Sequence, residues 1–474
     1  MSMKKIIKGG TIVTDSAMFE ADILIDGEKI AAIGQNFDGI ADAEVIDASG
    51  MLVLPGGVDA HVHLDLPMPN TTSSDDHYTG TKAAAFGGTT TVIDFANHDL
   101  PSLVDSFHVW EENAQGKAAV DYGVHMNYTH FSTESLAEIA KLPDLGVNSI
   151  KMFTAYNGRM RLQDGEIFQA MRKAGEEGII SMFHVENGDL IDLQVAEALA
   201  AGHTEPIWHA RTRSKDGTAG ELLNICMLSK TAGYAPIYIV HMNTAEEMDV
   251  LAYAKNLGIN VWGETCPQYM MFTEEDMKGW EGAKFVCSPP MRGAEDNEGI
   301  WQALEDGTMD VVATDHCPFM FDGTKEILYE GKPFKRPGKE LGRNDFTKIP
   351  NGQPGVGDRL PVMWTEAVVN GHISPQRFVE LMCTNPAKIY NIYPQKGAIL
   401  PGSDADLAIW DPMKKVTYGV KVAQHRTDYN LYEGKELTGF PVKVMLRGDV
   451  IVNNGEWKGK RGAGKFLHCE PLSE

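Results

Sequence analysis

Six residues of this 474-residue chain have the types and spacing to hold metal ions: His61, His63, Lys151, His184, His241 and Asp315. His61 and His63 stand one residue apart in the run Gly57-Val58-Asp59-Ala60-His61-Val62-His63-Leu64-Asp65. On a β-strand, side chains at i and i+2 point to the same face, so one strand can bring both rings to one ion. Neutral imidazoles with a hard carboxylate suit Zn²⁺, Mn²⁺, Fe²⁺ or Co²⁺. Six candidates exceed what a single tetrahedral ion takes, which points to two ions. Lys151 is the odd member, because an ammonium cannot ligate a metal. A lysine neutralised by burial or by nearby cations can add carbon dioxide, and the resulting carbamate is an anionic oxygen donor able to bridge two ions. The competing reading of Lys151 is a barrel lysine paired with a carboxylate such as Asp315. Any one of these histidines alone would be read as a packed core residue. Together they ask for another account, because all six fall at the ends of apolar, strand-like runs.

Those runs are the elements that must position them. Eight are legible, at 58–63, 89–95, 120–126, 149–153, 179–184, 236–241, 259–264 and 309–315, with amphipathic stretches such as 162–177 and 220–232 between them. Alternating β and α texture predicts a buried parallel sheet, and eight repeats are the count of a closed barrel. An open doubly wound sheet is the alternative, but the early βα turns carry no G-x-G-x-x-G. Barrels of this type place their active sites at the C-terminal ends of the strands, where the six candidates fall. Residues 4–54 read as short strands with an Asp26-Gly27 turn, and β texture returns at 405–410 and 442–452. The predicted architecture is α/β. A TIM-like (β/α)8 barrel at 55–389 interrupts a smaller β-sandwich made from 1–54 and 390–474, with an extended arm from Lys458 onward. Residues 316–357 form a long Gly- and Pro-rich loop, expected to be functional or poorly ordered. Helices are expected at 359–370 and 375–384.

Composition excludes several classes. A net charge of −24 argues against nucleic acid or an anionic membrane as a partner. No apolar run is long enough to span a bilayer. Met1-Ser2-Met3-Lys4-Lys5 lacks the apolar core of a signal peptide. The six cysteines are scattered, without a C-x-x-C, and read as reduced thiols. The expected location is the cytoplasm.

The motifs resemble the dihydropyrimidinase/D-hydantoinase family of cyclic amidohydrolases. The matching stretches are the His61/His63 run, Ser149-Ile150-Lys151-Met152-Phe153-Thr154-Ala155-Tyr156, His184-Val185-Glu186-Asn187-Gly188-Asp189, and Gly263-Glu264-Thr265-Cys266-Pro267-Gln268-Tyr269. Cys287-Ser288-Pro289-Pro290, Ala313-Thr314-Asp315-His316-Cys317-Pro318-Phe319 and Asp345-Phe346-Thr347-Lys348-Ile349-Pro350-Asn351-Gly352 complete the set. The resemblance implies a binuclear centre, usually zinc. One ion would be held by His61, His63, Asp315 and a carbamylated Lys151 (N6-carboxylysine), the other by His184, His241 and the same Lys151. It implies that Asp315 shuttles a proton, that Tyr156 hydrogen-bonds the developing oxyanion, and that main-chain groups of Ser288 and Asn351 hold the ureide. The implied reaction opens dihydrouracil, dihydrothymine or 5-substituted hydantoins to N-carbamoyl amino acids, in a homotetramer. Allantoinase or another cyclic imide hydrolase is the nearest alternative. A non-catalytic scaffold relative is disfavoured because all six ligand positions are intact. Dihydroorotases carry an arginine two residues after the second histidine to grip a carboxylate; Asp65 stands there and would repel one. Met68-Pro69-Asn70-Thr71-Thr72, Phe95-Ala96-Asn97-His98 and Tyr156-Asn157-Gly158-Arg159-Met160 depart from the commonest family versions and are expected to shape the pocket for the exocyclic group.

Overall fold

The structure is a computed structural model that describes residues 4–473. Its centre is one eight-stranded parallel sheet. The strands are β1 (Gly57–Val62), β2 (Thr89–Ala96), β3 (Asp121–Asn127), β4 (Ser149–Phe153), β5 (Ile180–His184), β6 (Ile237–Ile239), β7 (Val261–Thr265) and β8 (Val311–Val312), each paired with the next. A parallel bridge between Val62 and His316 joins the last strand back to the first, and His63 N–H donates to His316 O at 2.7 Å. The sheet is therefore the expected (β/α)8 barrel.

Strand alternation sets which side chains face inward. Ile93, Phe95, Ile180, Met182, Tyr238 and Val240 pack with one another inside the barrel. Their alternates Val92, Phe183, Ile237 and Ile239 join the larger layer between sheet and helices. On β4 the outward residues are Ile150 and Met152, also in that layer, which leaves Lys151 on the inner face as the sequence predicts. His184 shares the inward parity of Ile180 and Met182. Two helices fall close to their expected places, at Asp164–Glu176 and Lys215–Thr231. The helix Ala245–Asn256 opens on a capping box between Thr244 and Glu247, which fixes the short turn that carries His241.

A second body is built from two further sheets. One runs, in spatial order, Glu456–Trp457, Asp449–Asn453, Glu436–Leu446, Leu407–Thr417, Leu52–Pro55, Thr11–Val13 and Met18–Glu20. The other runs Lys29–Gly34, Asp22–Asp26, Lys4–Lys8 and Glu44–Asp47. Ile7, Ile23, Ile25, Val53, Leu407 and Met445 form their shared core. The chain then returns along the base of the barrel, where Leu467 N–H donates to Tyr122 O and Leu472 N–H to Gly178 O.

The expectations differ from the structure in places. The run 309–315 yields only the two-residue β8: Asp315 takes a φ of 52°, outside the extended region, and Thr314 Oγ1 turns to donate to Asp59 at 2.7 Å. Lys151 lies at the middle of β4, not its end. The run 442–452 is two antiparallel strands turned at Arg447 and Gly448, both with positive φ. The long loop 316–357 is structured, with a hairpin of Ile327–Tyr329 on Lys332–Phe334 and short 3-10 turns. All six thiols are free and buried. No helix among the described residues is long and apolar enough to cross a membrane.

Candidate active site

The C-terminal mouth of the barrel holds a cavity of about 350 Å³. Of the candidate residues, His63, Lys151, Tyr156, His184, His241, Ser288, Asp315 and Asn351 line it. His61 is fully buried beneath it. All the residues singled out in the sequence are thus brought to one place.

The first group is His61, His63 and Asp315. Asp315 Oδ1 lies 3.2 Å from His61 Nε2 and 3.1 Å from His63 Nε2, and the two Nε2 atoms are 3.2 Å apart. The Glu264 carboxylate accepts the Nδ1–H of His61 at 2.6 Å, which leaves the Nε2 lone pair facing the cluster. Glu264 is itself held by the Tyr238 hydroxyl at 2.8 Å and His241 N–H at 3.1 Å. The second group is His184 and His241, with His184 Nδ1 3.0 Å from His241 Nε2. Glu186 accepts from His184 Nε2 at 2.9 Å and so turns Nδ1 inward. Lys151 joins the groups: its Nζ is 3.1 Å from His61 Nε2 and sits 4.3 Å from the Phe95 ring centre.

The electrostatics follow from this packing. Burial holds His63 and His241 below the usual histidine range, which keeps their rings neutral and able to donate lone pairs. Burial and the Lys151 charge oppose protonation of His61, but Glu264 and Asp315 outweigh them and raise it. Burial works against the Asp315 carboxylate too, yet His61 and His63 hold it well below its ordinary value. Burial pushes Lys151 down to about 8, against the pull of Asp315 and Glu264. The Lys151 ammonium has a histidine ring nitrogen, not a carboxylate, as its hydrogen-bond neighbour. The paired-lysine reading therefore does not describe it.

Three of these residues carry a conformation that side chains rarely adopt: Tyr156, His241 and Asp315 have φ of 67°, 42° and 52°. Strained backbone of this kind persists only where the surroundings enforce it, and it clusters at functional sites. Leu66 to Met68, Asn97 to Asp99, Arg159 and Met160 form the cavity's outer wall, so the three unusual loops do shape the pocket. Asp65 does not. It turns toward His77, with Oδ2 at 3.5 Å from Nδ1, and is absent from the cavity lining.

The sequence matches the amidohydrolase family over residues 52–451. It is 42% identical over 470 residues to a D-hydantoinase of Geobacillus stearothermophilus, covering 98% of this chain and 96% of that one. A D-hydantoinase of Streptomyces coelicolor is 40% identical, with 98% of each chain covered. The crystal structure of a dihydropyrimidinase from Brevibacillus agri superposes with a TM-score of 0.95 at 40% identity, covering all of both chains. The chain belongs to the dihydropyrimidinase/D-hydantoinase family of cyclic amidohydrolases.

That family is metal-dependent, and the residues present fit a metal. His61, His63 and Asp315 offer ligand atoms all within 4.8 Å of one another. The carboxylates behind His61 and His184 each fix a tautomer that aims a lone pair at the centre. Several members of the site went unread in the sequence. Glu264 closes the seventh apolar run, so the same strand-end rule that found the histidines could have found it. Glu186 follows His184 by two residues and is held at about 2 by Arg213 and His184 despite its burial. Arg213 also donates to His209 O at 3.0 Å, and His209 Nε2 approaches Ser288 Oγ at 3.2 Å. Nothing in local sequence marks Arg213 or His209 as members of the site, because what brings them there, Glu186 and Ser288, lies far along the chain.

Proposed function

We propose that this protein hydrolyses the cyclic amide bond of dihydropyrimidines such as dihydrouracil and dihydrothymine, or of 5-substituted hydantoins, to N-carbamoyl amino acids. The observation that carries the reading is the convergence of four imidazoles, one carboxylate and one buried lysine, whose hydrogen-bond neighbour is a ring nitrogen, on a single cavity. His61, His63 and Asp315 would hold one divalent ion and His184 and His241 a second, zinc in both places. Lys151, as its carbamate, would be shared between them. Bound there, such ions supply Lewis acidity and a water acidic enough to ionise near neutral pH.

The chain's own groups then divide the work. Asp315 is kept ionised by His61 and His63, so its carboxylate is ready to take a proton and return it to the leaving ring nitrogen. Burial raises Tyr156 far above the ordinary phenol, so it remains an O–H donor able to stabilise the oxyanion as it forms. Ser288 and Asn351 are tied together by Asn351 Nδ2 donating to Ser288 Oγ at 3.0 Å, and their main-chain groups hold the ureide edge. Phe153, Leu66 and Met68 shield the ring from water.

The same reading carries a homotetramer. Leu190, Leu193 and Leu199 are exposed on the helix Gly188–Ala200 and offer apolar area for subunit contact. It also carries a cytoplasmic location.

A substrate panel tests the function: dihydrouracil, dihydrothymine, hydantoin, phenylhydantoin, allantoin and succinimide, assayed with metal content measured on the same sample. Opening of dihydrouracil or a hydantoin with about two divalent ions per chain is the expected result. Turnover restricted to allantoin or succinimide reassigns the substrate class. Full activity after exhaustive chelation ends the metal mechanism.

A further inference from the structure

Lys339 opens the 3-10 turn Lys339–Gly342 in the long loop and is completely buried. Its ammonium donates to three main-chain carbonyls: Val286 O at 2.7 Å, Pro350 O at 2.8 Å and Gly352 O at 2.7 Å. Burial pushes Lys339 down to about 7, and no carboxylate among the described residues is among the groups that oppose it. A buried ammonium without a counter-ion is costly, and the hydrogen bonds it makes are what offset that cost. The three carbonyls show what this one does. Pro350 and Gly352 flank Asn351, and Val286 lies two residues before Ser288.

The local backbone makes the consequence specific. Gly352 N–H donates to Val286 O at 3.1 Å, so the two segments already touch. A trans peptide directs its C=O and N–H to opposite sides, so the Asn351 carbonyl is turned away from Val286. Likewise, with the Pro350 carbonyl held by Lys339, the Asn351 N–H points the other way. Gly352 has φ of 139°, and a Cβ there would stand 2.3 Å from Cys317 O, so the turn admits only glycine and has no other way to relax. The ammonium thus holds the peptides at 350–351 and 352–353, the Gly352 N–H bond to Val286 O holds the peptide between them, and the shared Val286 carbonyl ties this turn to the segment leading into Ser288.

We infer that Lys339 is a positioning residue for the ureide site: its three hydrogen bonds set the orientation of the Asn351 and Ser288 main-chain groups that grip the substrate ring. This rests on the reading of Ser288 and Asn351 given under the proposed function. Lys339 touches neither the candidate ligands nor the cavity, so its effect is on substrate binding and not on the metal centre.

Steady-state kinetics of the metal-loaded enzyme on dihydrouracil and hydantoin test it. Lys339→Met keeps the length and removes the donors. KM should rise about tenfold or more, while kcat changes by less than about threefold and metal content stays at the wild-type level. Lys339→Gln keeps two donors at shorter reach, and should fold where Met does not and show the same split at smaller size. A purely structural role lowers the active fraction, which depresses kcat and leaves KM alone. Unchanged KM in either folded variant overturns the inference. If the wild-type enzyme opens neither ring, the functional reading fails first and takes the inference with it. If the wild type opens them and the variants keep their KM, only the positioning role is lost.

Discussion

Two buried lysines occupy opposite ends of the barrel and are treated in opposite ways. Lys151, at the mouth, has a histidine nitrogen at 3.1 Å and is pushed down to about 8 by burial. Lys396, toward the base, meets Asp121 at 2.5 Å, Asp404 at 2.9 Å and Asp406 at 2.8 Å, and these carboxylates overcome burial and raise it above its ordinary value. Asp121 is the first residue of β3, and Arg447 binds it as well. Burial is nearly the same at both ends; the supply of carboxylates differs. At the base the chain neutralises its charge and keeps an ammonium. At the mouth it leaves the lysine with little to hold its proton, which is the condition for reactivity. Barrels divide their two faces in this way, chemistry at the C-terminal ends of the strands and stability at the other.

The sharpest way to break the comparison is Lys151→Ala. Metal and turnover should be lost together, with activity below about 10⁻⁴ of wild type. Acetate or propionate should restore part of both by supplying the missing anionic oxygen, while Lys151→Arg, always charged, should not respond. Metal analysis beside rates decides it; a variant that keeps metal and turnover removes Lys151 from the centre.

Asp315→Asn is expected to keep much of the metal and lose roughly 10²-fold or more in kcat, because the amide cannot carry the proton. Near-normal turnover would assign the shuttle elsewhere. Glu264→Gln should weaken metal affinity by about 10- to 100-fold through loss of the His61 tautomer, read by competition with a chelator. An unchanged affinity would show that His61 is oriented by packing alone.

At the base the effect should fall on stability. Lys396→Met leaves Asp121, Asp404 and Asp406 facing one another, and should cost about 3–5 kcal/mol in denaturant unfolding while the folded fraction keeps its kcat. The pH dependence has a definite sign. The folded pKa of Lys396 is raised, so its contribution is fully present below the unfolded value and is lost only as pH rises through the folded one. The gap between wild type and variant should therefore stay flat from about pH 6 to about pH 10 and narrow only above that, as pH passes the ordinary lysine value. A gap that closes on acidification instead would mean that the carboxylates, not the ammonium, control the cluster.

Much of the site was legible because strand alternation is a local rule. It places Lys151 inward between Ile150 and Met152 and sets His61 and His63 together, with no knowledge of the rest of the fold. The eight apolar runs gave the barrel for the same reason. What local rules could not reach were the partners. Glu264 meets His61 across 203 residues of sequence, and Lys339 gathers carbonyls whose own side chains say nothing. The positive φ of Tyr156, His241 and Asp315 was equally hidden, since none is glycine or asparagine. The short β8 was missed because the left-handed backbone of Asp315, φ 52°, ends the extended run, and no local rule predicts that conformation for it.

The strand Leu52–Pro55 has a consequence for how the molecule is made. On one side it pairs with Thr11–Val13, and on the other with Leu407–Thr417; Pro55 stands opposite Leu407 and runs almost directly into β1. During synthesis the first edge is satisfied early, while the second waits until the whole barrel has left the ribosome. Through that interval the nascent chain carries an open, apolar β-edge joined to the strand that bears His61 and His63. Its contacts are among the longest-range in the chain, so they form late and slowly. Release of an incomplete chain at that stage leaves this edge free to pair with another copy, which makes strand 407–417 the element that ends the period of greatest risk of aggregation.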